Sequence, residues 1–220
     1  MELVRQPFDD NLGDRLIELL DSPEYRVFNL VVAFAKNSGV LRIGDAMDKY
    51  RAKGGIINAY VGIDFGGTSY EALMNLRLRT DSLNVVHTEG AQTFHPKIYN
   101  FVGERITTVI VGSNNLTSGG LWSNFETAAL LEFELTTEQG KNLQLQVDNL
   151  LKELALLDNC LMPIRSQDDI ENLLANEYVT KEVTEHIRRS AMNKTSKRTH
   201  ALFGRGVSTH AVSYTHLRAH

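Results

Sequence analysis

The order of strands and helices in the first half of the chain restricts the fold more than any other feature. The segment YRVFNLVVAFAK (25–36) is rich in β-branched and aromatic residues and predicts a buried strand. An amphipathic helix (39–55) that ends on two glycines follows it, and IINAYVGID (56–64) predicts a second buried strand. A leucine stripe at 12–21 predicts a helix before them. Strands that alternate with helices in this way predict an α/β domain.

The remainder of the body predicts further elements around the same sheet. They are a helix capped by Thr68 or Ser69, a strand at 83–88, a strand at 125–135, a helix at 137–157 and a last helix at about 168–189. Two strands, HPKIYNFVG (95–103) and RITTVIVGS (105–113), are separated by a tight turn and predict an antiparallel hairpin. We therefore expect a mixed β-sheet flanked by helices on both faces.

Charge divides the chain into an acidic body and a basic tail. Residues 1–180 carry 15 Lys and Arg against 25 Asp and Glu, whereas residues 181–206 carry seven basic and two acidic residues. Because Lys and Arg drive phosphate binding, the acidic body does not by itself attract DNA; the basic run is either a solvated linker or a DNA contact. We expect a catalytic domain at 1–190 and, at 191–211, a basic linker or the start of a missing C-terminal DNA-recognition domain. Residues 212–220 match no earlier pattern and are expected to be a non-native, adaptor-derived tail.

Several classes of protein are disfavoured by the composition. No apolar stretch reaches the roughly 18 residues that a membrane helix needs. The first residues lack the basic and apolar regions of a signal peptide, so we expect a cytoplasmic protein with no membrane partner. A single cysteine, Cys160, allows neither an internal disulfide nor a multi-cysteine metal site. The nucleotide-binding pattern that ends in Gly-Lys-Ser/Thr does not occur.

The segment TFHPKIYNF (93–101) places a histidine and a lysine two residues apart in a predicted strand. Alternate residues of a strand point to the same face, so His95 and Lys97 should project together. Pro96 cannot donate a hydrogen bond to a neighbouring strand, which places this end of the strand at an edge or entry point.

The hairpin should return three more polar side chains to the same end of the sheet. Ser113 and Asn115 belong to GSNN at the end of the second hairpin strand, and Glu126 opens the next strand from that end. A purely structural interpretation would be an edge-strand histidine, a solvated lysine and a Gly/Asn turn. The combination of all these residue types at one edge favours a functional site.

These residue types suit phosphodiester cleavage without a metal or cofactor. A neutral imidazole at His95 can attack phosphorus if an acceptor such as Glu126 holds its other nitrogen. Lys97 would place positive charge on the non-bridging oxygens, and Asn115 and Ser113 would supply neutral donors. A second imidazole must protonate the leaving oxygen.

Other conspicuous residues of the body have simpler interpretations. We expect His87, on a short strand, to be a hydrogen-bonded structural histidine, and Asp64 to cap a helix or stabilise a turn. Trp122 either shapes a substrate groove or anchors its loop to the core, and the sequence leaves both open.

The HPK, GSNN and glutamate together resemble the His-x-Lys…Gly-Ser-x-Asn signature of the phospholipase D superfamily. They look most similar to its restriction-endonuclease branch (the NgoFVII/BfiI type). The resemblance implies a nucleophilic His95 that forms a phosphohistidine, phosphate-binding Lys97 and Asn115, and a Glu126 that supports the histidine. Ser113 is a further phosphate-binding candidate.

Two features separate the chain from other members of that superfamily. The broader family has an aspartate five residues after the lysine, where this chain has Val102, and this argues against a lipid-type phospholipase D. The chain has one His-x-Lys, so a two-histidine mechanism requires a second subunit. A twofold homodimer would bring two copies together into one composite site, as the resemblance also implies.

The function expected from these observations is a metal-independent endodeoxyribonuclease, the catalytic part of a restriction enzyme. Its expected partners are DNA, a second copy of the chain and a cognate methyltransferase of the same system. One alternative is a phospholipase D-like nuclease or phosphodiesterase of a helicase-associated or other defence system. Another is a catalytically silent dimerisation module.

Overall fold

An eight-stranded sheet organises the part of the chain that the computed structural model describes, residues 1–8, 10–157 and 159–187. The strands are β1 (Glu2–Gln6), β2 (Tyr25–Val32), β3 (Ile56–Gly62), β4 (Ser82–Val86), β5 (Lys97–Gly103), β6 (Ile106–Gly112), β7 (Glu126–Glu134) and β8 (Leu161–Pro163). The helices are α1 (Leu12–Asp21), α2 (Asn37–Ala52), α3 (Tyr70–Arg79), α4 (Glu138–Ala155) and α5 (Gln167–Ala175).

The strand order is β1-β7-β6-β5-β2-β3-β4-β8, and the sheet is mixed as predicted. β2, β3 and β4 are parallel because α2 and α3 return the chain to the same end of the sheet after each strand. The remaining pairs are antiparallel. The carboxyl ends of β2, β3 and β4 therefore share one edge, and β5 begins at that edge.

The predicted hairpin is formed by β5 and β6. Their register pairs Ile98 with Val111, and Gly103 ends β5 directly before the two-residue turn. A Cβ at Gly103 would lie 2.1 Å from the carbonyl oxygen of Glu24, so the turn has room only for glycine. This register brings the end of β6 back beside the start of β5, which is the arrangement that the sequence predicted.

Helices cover both faces of the sheet. Phe28 lies in the main core beneath α1 and α2, where its ring stacks on that of Phe101 with centroids 4.3 Å apart. The opposite face carries Asn29, whose amide donates to Asn100 at 3.0 Å, and Asn100 in turn donates to Gln144 of α4 at 3.3 Å. Because neighbouring residues of a strand face opposite sides, β2 contributes to both layers.

Both edge strands were missed by the sequence analysis. β1 alternates between exposed and buried side chains, with Val4 and Gln6 inside, and pairs with β7. β8 has only three residues and pairs with β4. Short edge strands contain too few inward-facing residues for periodicity to identify them.

The prediction of one helix over 168–189 is wrong. α5 ends at Ala175, and Glu177 has a left-handed backbone with φ of 61°, which a continuous helix does not allow. The chain then forms a β-bridge at Thr180 before it turns helical again at 182–187.

The expectations for the tail concern residues outside the described part of the chain. The linker predicted at 191–211 and the adaptor-derived segment predicted at 212–220 both lie there. None of the helices within residues 1–8, 10–157 and 159–187 combines the length and the apolar character needed to cross a membrane.

Candidate active site

Three neighbouring strands begin or end together at the edge where the predicted residues lie. Lys97 opens β5 opposite Val32, the last residue of β2. Ser113 directly follows β6, and its backbone N–H donates to the carbonyl of Thr127 at 3.1 Å. Glu126 opens β7 beside it. The antiparallel order of β5, β6 and β7 therefore places these side chains on one edge.

His95 and Lys97 are in contact, although the backbone conformation differs from the prediction. His95 lies in the connection before β5 and is exposed, so the expectation that it lies in the strand is wrong. The ammonium Nζ of Lys97 lies 2.7 Å from Nδ1 of His95, 3.0 Å from its Nε2 and 3.1 Å from its carbonyl oxygen. Pro96, which lacks an N–H, instead accepts a hydrogen bond from Ala33 through its carbonyl at 2.8 Å.

Lys97 is the most unusual charged group of the site. Its side chain reaches the imidazole, yet the residue is only 7% exposed. Burial lowers the pKa of the Lys97 ammonium, and the negative charge of Glu126 partly opposes this by raising it. A partly desolvated cation acts more strongly on a bound anion than a solvated one does.

Glu126 binds its neighbours on the loop and not the histidine. Ser113 Oγ donates to one carboxylate oxygen of Glu126, and the amide of Asn124 donates to the other at 3.3 Å. Within the described chain, His95 instead contacts Lys97 and the edge of the Phe34 ring, with ring centroids 5.8 Å apart. The predicted pairing of His95 with Glu126 is not made, and the supporting role of Glu126 stays a prediction.

Asn115 is fixed by the segment that follows β2. Its Oδ1 accepts a hydrogen bond from the backbone N–H of Phe34 at 3.1 Å. The carbonyl of Phe34 accepts from Leu116 at 3.0 Å, and the adjacent Ala33 binds Pro96. One short segment thus anchors both the loop of Asn115 and the residue after His95. This leaves the Asn115 amide NH₂ as the group that can donate to an anion.

The loop between β6 and β7 is held from inside the fold. Tyr99, two residues after Lys97, is fully buried and donates its hydroxyl to the carbonyl of Asn114 at 3.0 Å. Burial raises the pKa of Tyr99, as does the charge of Glu126. The neighbouring Asn114 is also buried and donates to Gly120 at 2.7 Å. These contacts make the loop a rigid support for Ser113.

Trp122 anchors this loop to α1, which decides between the two interpretations that the sequence left open. Its Nε1 donates to Asp14 at 3.0 Å, and its ring lies where a Cβ of Gly13 would be. The guanidinium of Arg42, a residue of α2, lies 4.5 Å from the centroid of the Trp122 ring. The tryptophan therefore packs against helices and not in the site.

A cleft of about 330 Å³ opens beside Ser113 and Glu126. Two aromatic rings line it, Phe8 and Phe125, whose centroids are 5.5 Å apart. They are 62% and 63% exposed, unusually high for large apolar side chains in contact. Arg5 lines the same cleft. The sequence analysis selected none of these three, since neither β1 nor its packing against β7 was predicted.

The sequence analysis also assigned purely structural roles to Asp64 and His87, a second pair of side chains near the site. Asp64 was expected to serve a turn or a helix cap, and its carbonyl does accept from Gly67 in a short 3₁₀ turn at 2.9 Å. Its buried carboxylate, however, binds His87 and the backbone of Phe94. Sequence periodicity cannot reveal this contact, because Asp64 follows β3 whereas His87 and Phe94 belong to the connection between β4 and β5.

No group of three or more His, Cys, Asp or Glu side chains in the described residues is arranged to hold a metal ion.

The candidate active site consists of His95, Lys97, Asn115, Ser113 and Glu126, at or next to three neighbouring strand ends.

Comparison with known proteins identifies the fold. No family model matches the sequence, and no curated protein sequence matches it. Among solved structures, Nuc of Salmonella typhimurium, a phospholipase D family member, aligns over 75% of this chain and 97% of its own, with a TM-score of 0.53 and 15% identity. Phosphatidylserine synthase of Haemophilus influenzae aligns over 87% of this chain and 45% of its own, with a TM-score of 0.55 and 13% identity.

The fold is phospholipase D-like. At these identities the likeness concerns the backbone alone, so the chemistry of this phospholipase D-like domain must come from its own side chains. The mixed sheet and its covering helices are confirmed by the alignment.

Proposed function

We propose that the chain is the catalytic part of a metal-independent endodeoxyribonuclease of the restriction type, which hydrolyses DNA phosphodiester bonds. The observation that carries this proposal is the contact between the His95 imidazole and the partly desolvated Lys97 ammonium, 2.7 Å apart at the open edge of a phospholipase D-like sheet. A nucleophile beside a fixed cation is what displacement at an anionic phosphorus requires.

The proposed reaction has two displacements. A ring nitrogen of neutral His95 attacks phosphorus, a P–N bond forms and the P–O bond to the leaving nucleoside breaks. The leaving oxygen takes a proton from a second imidazole, which then accepts a proton from the water that hydrolyses the phosphohistidine. Lys97 and the amide NH₂ of Asn115 stabilise the charge on the phosphoryl oxygens; Ser113 lies on the same edge and would donate to phosphate only after its hydroxyl turns away from Glu126.

The second imidazole in this scheme comes from a second copy of the chain. His95 is part of the sole His-x-Lys in the sequence, and it lies exposed at the sheet edge, where a twofold axis can bring two copies together. A single composite site would then cut the two DNA strands in succession.

Nucleic acid is favoured over lipid by the cleft next to the site. Phe8 and Phe125 are both more than half exposed beside Glu126, and exposed aromatic rings bind unstacked bases without sequence preference. The body itself is acidic, with ten more acidic than basic residues in 1–180. We therefore propose that sequence recognition and much of the affinity come from elsewhere, as in a restriction enzyme that acts with a cognate methyltransferase.

Plasmid cleavage in excess EDTA tests this proposal, with the full chain and its His95→Ala variant side by side. We expect cleavage by the unmodified protein to persist in EDTA and that of His95→Ala to fall by at least about 1,000-fold. Loss of cleavage in EDTA would contradict the metal-independent mechanism, and unchanged cleavage by His95→Ala would remove the nucleophile. Cleavage without any sequence preference would favour a nuclease of another defence system. Complete inactivity would favour a catalytically silent dimerisation module.

A further inference from the structure

The connection between β4 and β5 carries His95 across the ends of two other strands. β4 and β5 are separated in the sheet by β3 and β2, so residues 87–96 cross both strand ends before β5 begins. A long connection of this kind has no β-ladder of its own to fix it. The position of the imidazole therefore depends on what binds the connection.

One buried carboxylate binds both ends of this connection. Asp64 follows β3 and is 7% exposed. Its Oδ1 lies 2.5 Å from Nδ1 of His87, the first residue after β4. Its Oδ2 accepts the backbone N–H of Phe94, the residue before His95, at 2.8 Å. Asp64 thus links the start of the crossing to the residue next to the proposed nucleophile.

The surroundings leave the segment little room to move. A Cβ at Gly62 would lie 2.9 Å from the ring of Phe94 and 2.6 Å from the carbonyl oxygen of Ala33, so the segment packs directly on the end of β3. On the other side of His95, Pro96 is bound by Ala33 at 2.8 Å. Both neighbours of the histidine are therefore anchored, one of them through Asp64.

A turn alone does not require a negatively charged side chain at position 64. Burying a carboxylate is costly unless it is paired, and a neutral Asn or Ser could accept the same backbone hydrogen bond. His87 supplies the pairing, and its other face contacts Tyr178 with ring centroids 5.2 Å apart. Its Nε2 lies 3.9 Å from Glu89, which is exposed. The carboxylate is buried and the imidazole is partly exposed, so the pair links the interior to the surface at the start of the connection.

We propose that Asp64 and His87 form a positioning pair that places His95 against Lys97. This inference rests on the proposed function, because it assigns the pair a role in the reaction of that same site. Neither residue is proposed to touch the substrate; His87 orients Asp64, and Asp64 fixes the Phe94 N–H.

Hydrolysis of bis(p-nitrophenyl) phosphate by the full chain tests the pair, because this small diester needs no DNA contacts. For Asp64→Ala we expect kcat to fall about 100-fold, the effect of a small displacement of a catalytic group, with KM changed less than about two-fold. Asp64→Asn keeps an oxygen for Phe94 and should lose less, about 10-fold. The Phe94 amide should exchange hydrogen faster in Asp64→Ala.

The variants of His87 separate positioning from direct catalysis. In His87→Asn an amide can replace the Nδ1–H donor to Asp64, so we expect most of kcat to be retained, whereas His87→Ala should behave like Asp64→Ala. Equal loss in His87→Asn and His87→Ala would overturn the positioning role, because it would mean that the other ring nitrogen takes part in the chemistry.

Asp81 offers a matched control at the opposite end of β3. Its carboxylate also binds a backbone N–H, that of Ile57 at 2.8 Å, and a cation, Arg51 at 3.0 Å. We expect Asp81→Ala to lower the melting temperature but to leave kcat per folded molecule within about two-fold. If Asp64→Ala and Asp64→Asn behave like Asp81→Ala, the inference is wrong while the proposed function stands. If His95→Ala retains full activity, the proposed function itself has failed.

Discussion

The charge state of Lys97 is the property of a single residue on which the proposed chemistry most depends. Burial lowers its pKa and Glu126 raises it again. The ammonium is the form that binds phosphate, and it exists only below this pKa. A lowered pKa therefore means that the cation is lost at a lower pH than for a solvated lysine.

We expect diesterase activity to decline at alkaline pH with an apparent pKa below the ordinary lysine value. In Glu126→Gln the decline should move to lower pH, because the group that raises the pKa of Lys97 is removed. Profiles of kcat/KM against pH for both proteins measure the shift. Glu132→Gln is the control, because Glu132 lies on β7 like Glu126 but contacts Tyr25. It should leave the pH profile unchanged. A shift to higher pH in Glu126→Gln would contradict this assignment.

The sequence predicted which candidate residues lie at one end of the sheet more successfully than it predicted their contacts. Residue type and spacing were enough to select His95, Lys97 and Glu126, because local periodicity decides which residues share a strand end. Whether Glu126 binds His95 or Ser113 depends on side-chain positions set by Asn124 and by the loop, which periodicity does not describe.

Among the secondary-structure elements, β1 links the loop of the site to the first helix through its last residue. Gln6, at its end, is 1% exposed, and its amide donates to the carbonyls of Gly119 and Asn124, each at 3.1 Å. Its Oε1 accepts the N–H of Leu12 at 3.3 Å. This five-residue strand thus joins the start of α1 to the loop that precedes Glu126.

Gln6→Ala should lower the free energy of unfolding by about 2–3 kcal/mol, because several buried backbone groups lose their partner together. Urea denaturation measures the change. Gln146→Ala is the matched control, since Gln146 is an exposed residue of α4 whose side-chain amide donates to Asn142; the expected change is within about 0.5 kcal/mol. Similar values for the two variants would mean that the β1 anchor contributes little.

We expect the aromatic pair Phe8 and Phe125 to contribute to binding of the nucleic-acid strand and not to cleavage of the phosphodiester bond. We expect Phe125→Ala to weaken binding of a single-stranded oligonucleotide by about 10-fold, as for loss of one stacked base, with hydrolysis of bis(p-nitrophenyl) phosphate unchanged. Fluorescence anisotropy and the diester assay measure the two effects. Leu156→Ala removes another exposed apolar side chain and is the control.

A change in elution volume of Phe125→Ala on gel filtration, with unaltered oligonucleotide binding, would contradict this role. It would show that the pair lies between two copies of the chain.

For the whole molecule, the main question is whether one chain or two complete the reaction. If the site is composite, a dimer with one intact histidine lacks either the nucleophile or the acid. In a 1:1 mixture of wild-type and His95→Ala protein that has exchanged subunits at random, only about one quarter of the dimers are fully intact. We expect activity per total protein near that quarter of the wild-type value. A value near one half would indicate that each chain acts alone.

The fold class was predictable because it rests on short-range patterns. Alternation of strands and helices up to residue 86, followed by a hairpin with Gly103 at its turn, is sufficient to specify a mixed sheet. The break at Glu177 was not predictable, since an amphipathic pattern continues across it and the left-handed residue is not a glycine. Propensity is a weak signal where tertiary contacts, such as the bridge at Thr180, compete with it.

By itself, the sequence determined the candidate residues and the end of the sheet at which they lie. These properties follow from spacing along one stretch of chain, from His95 to Glu126. Only the tertiary structure decided that Asp64 binds the connection that carries His95, through His87 and Phe94, and that Phe8 lies beside Phe125. The physical reason is distance along the chain: these partners lie 23 to more than 100 residues apart, and they meet only because the strand order brings their connections to one edge.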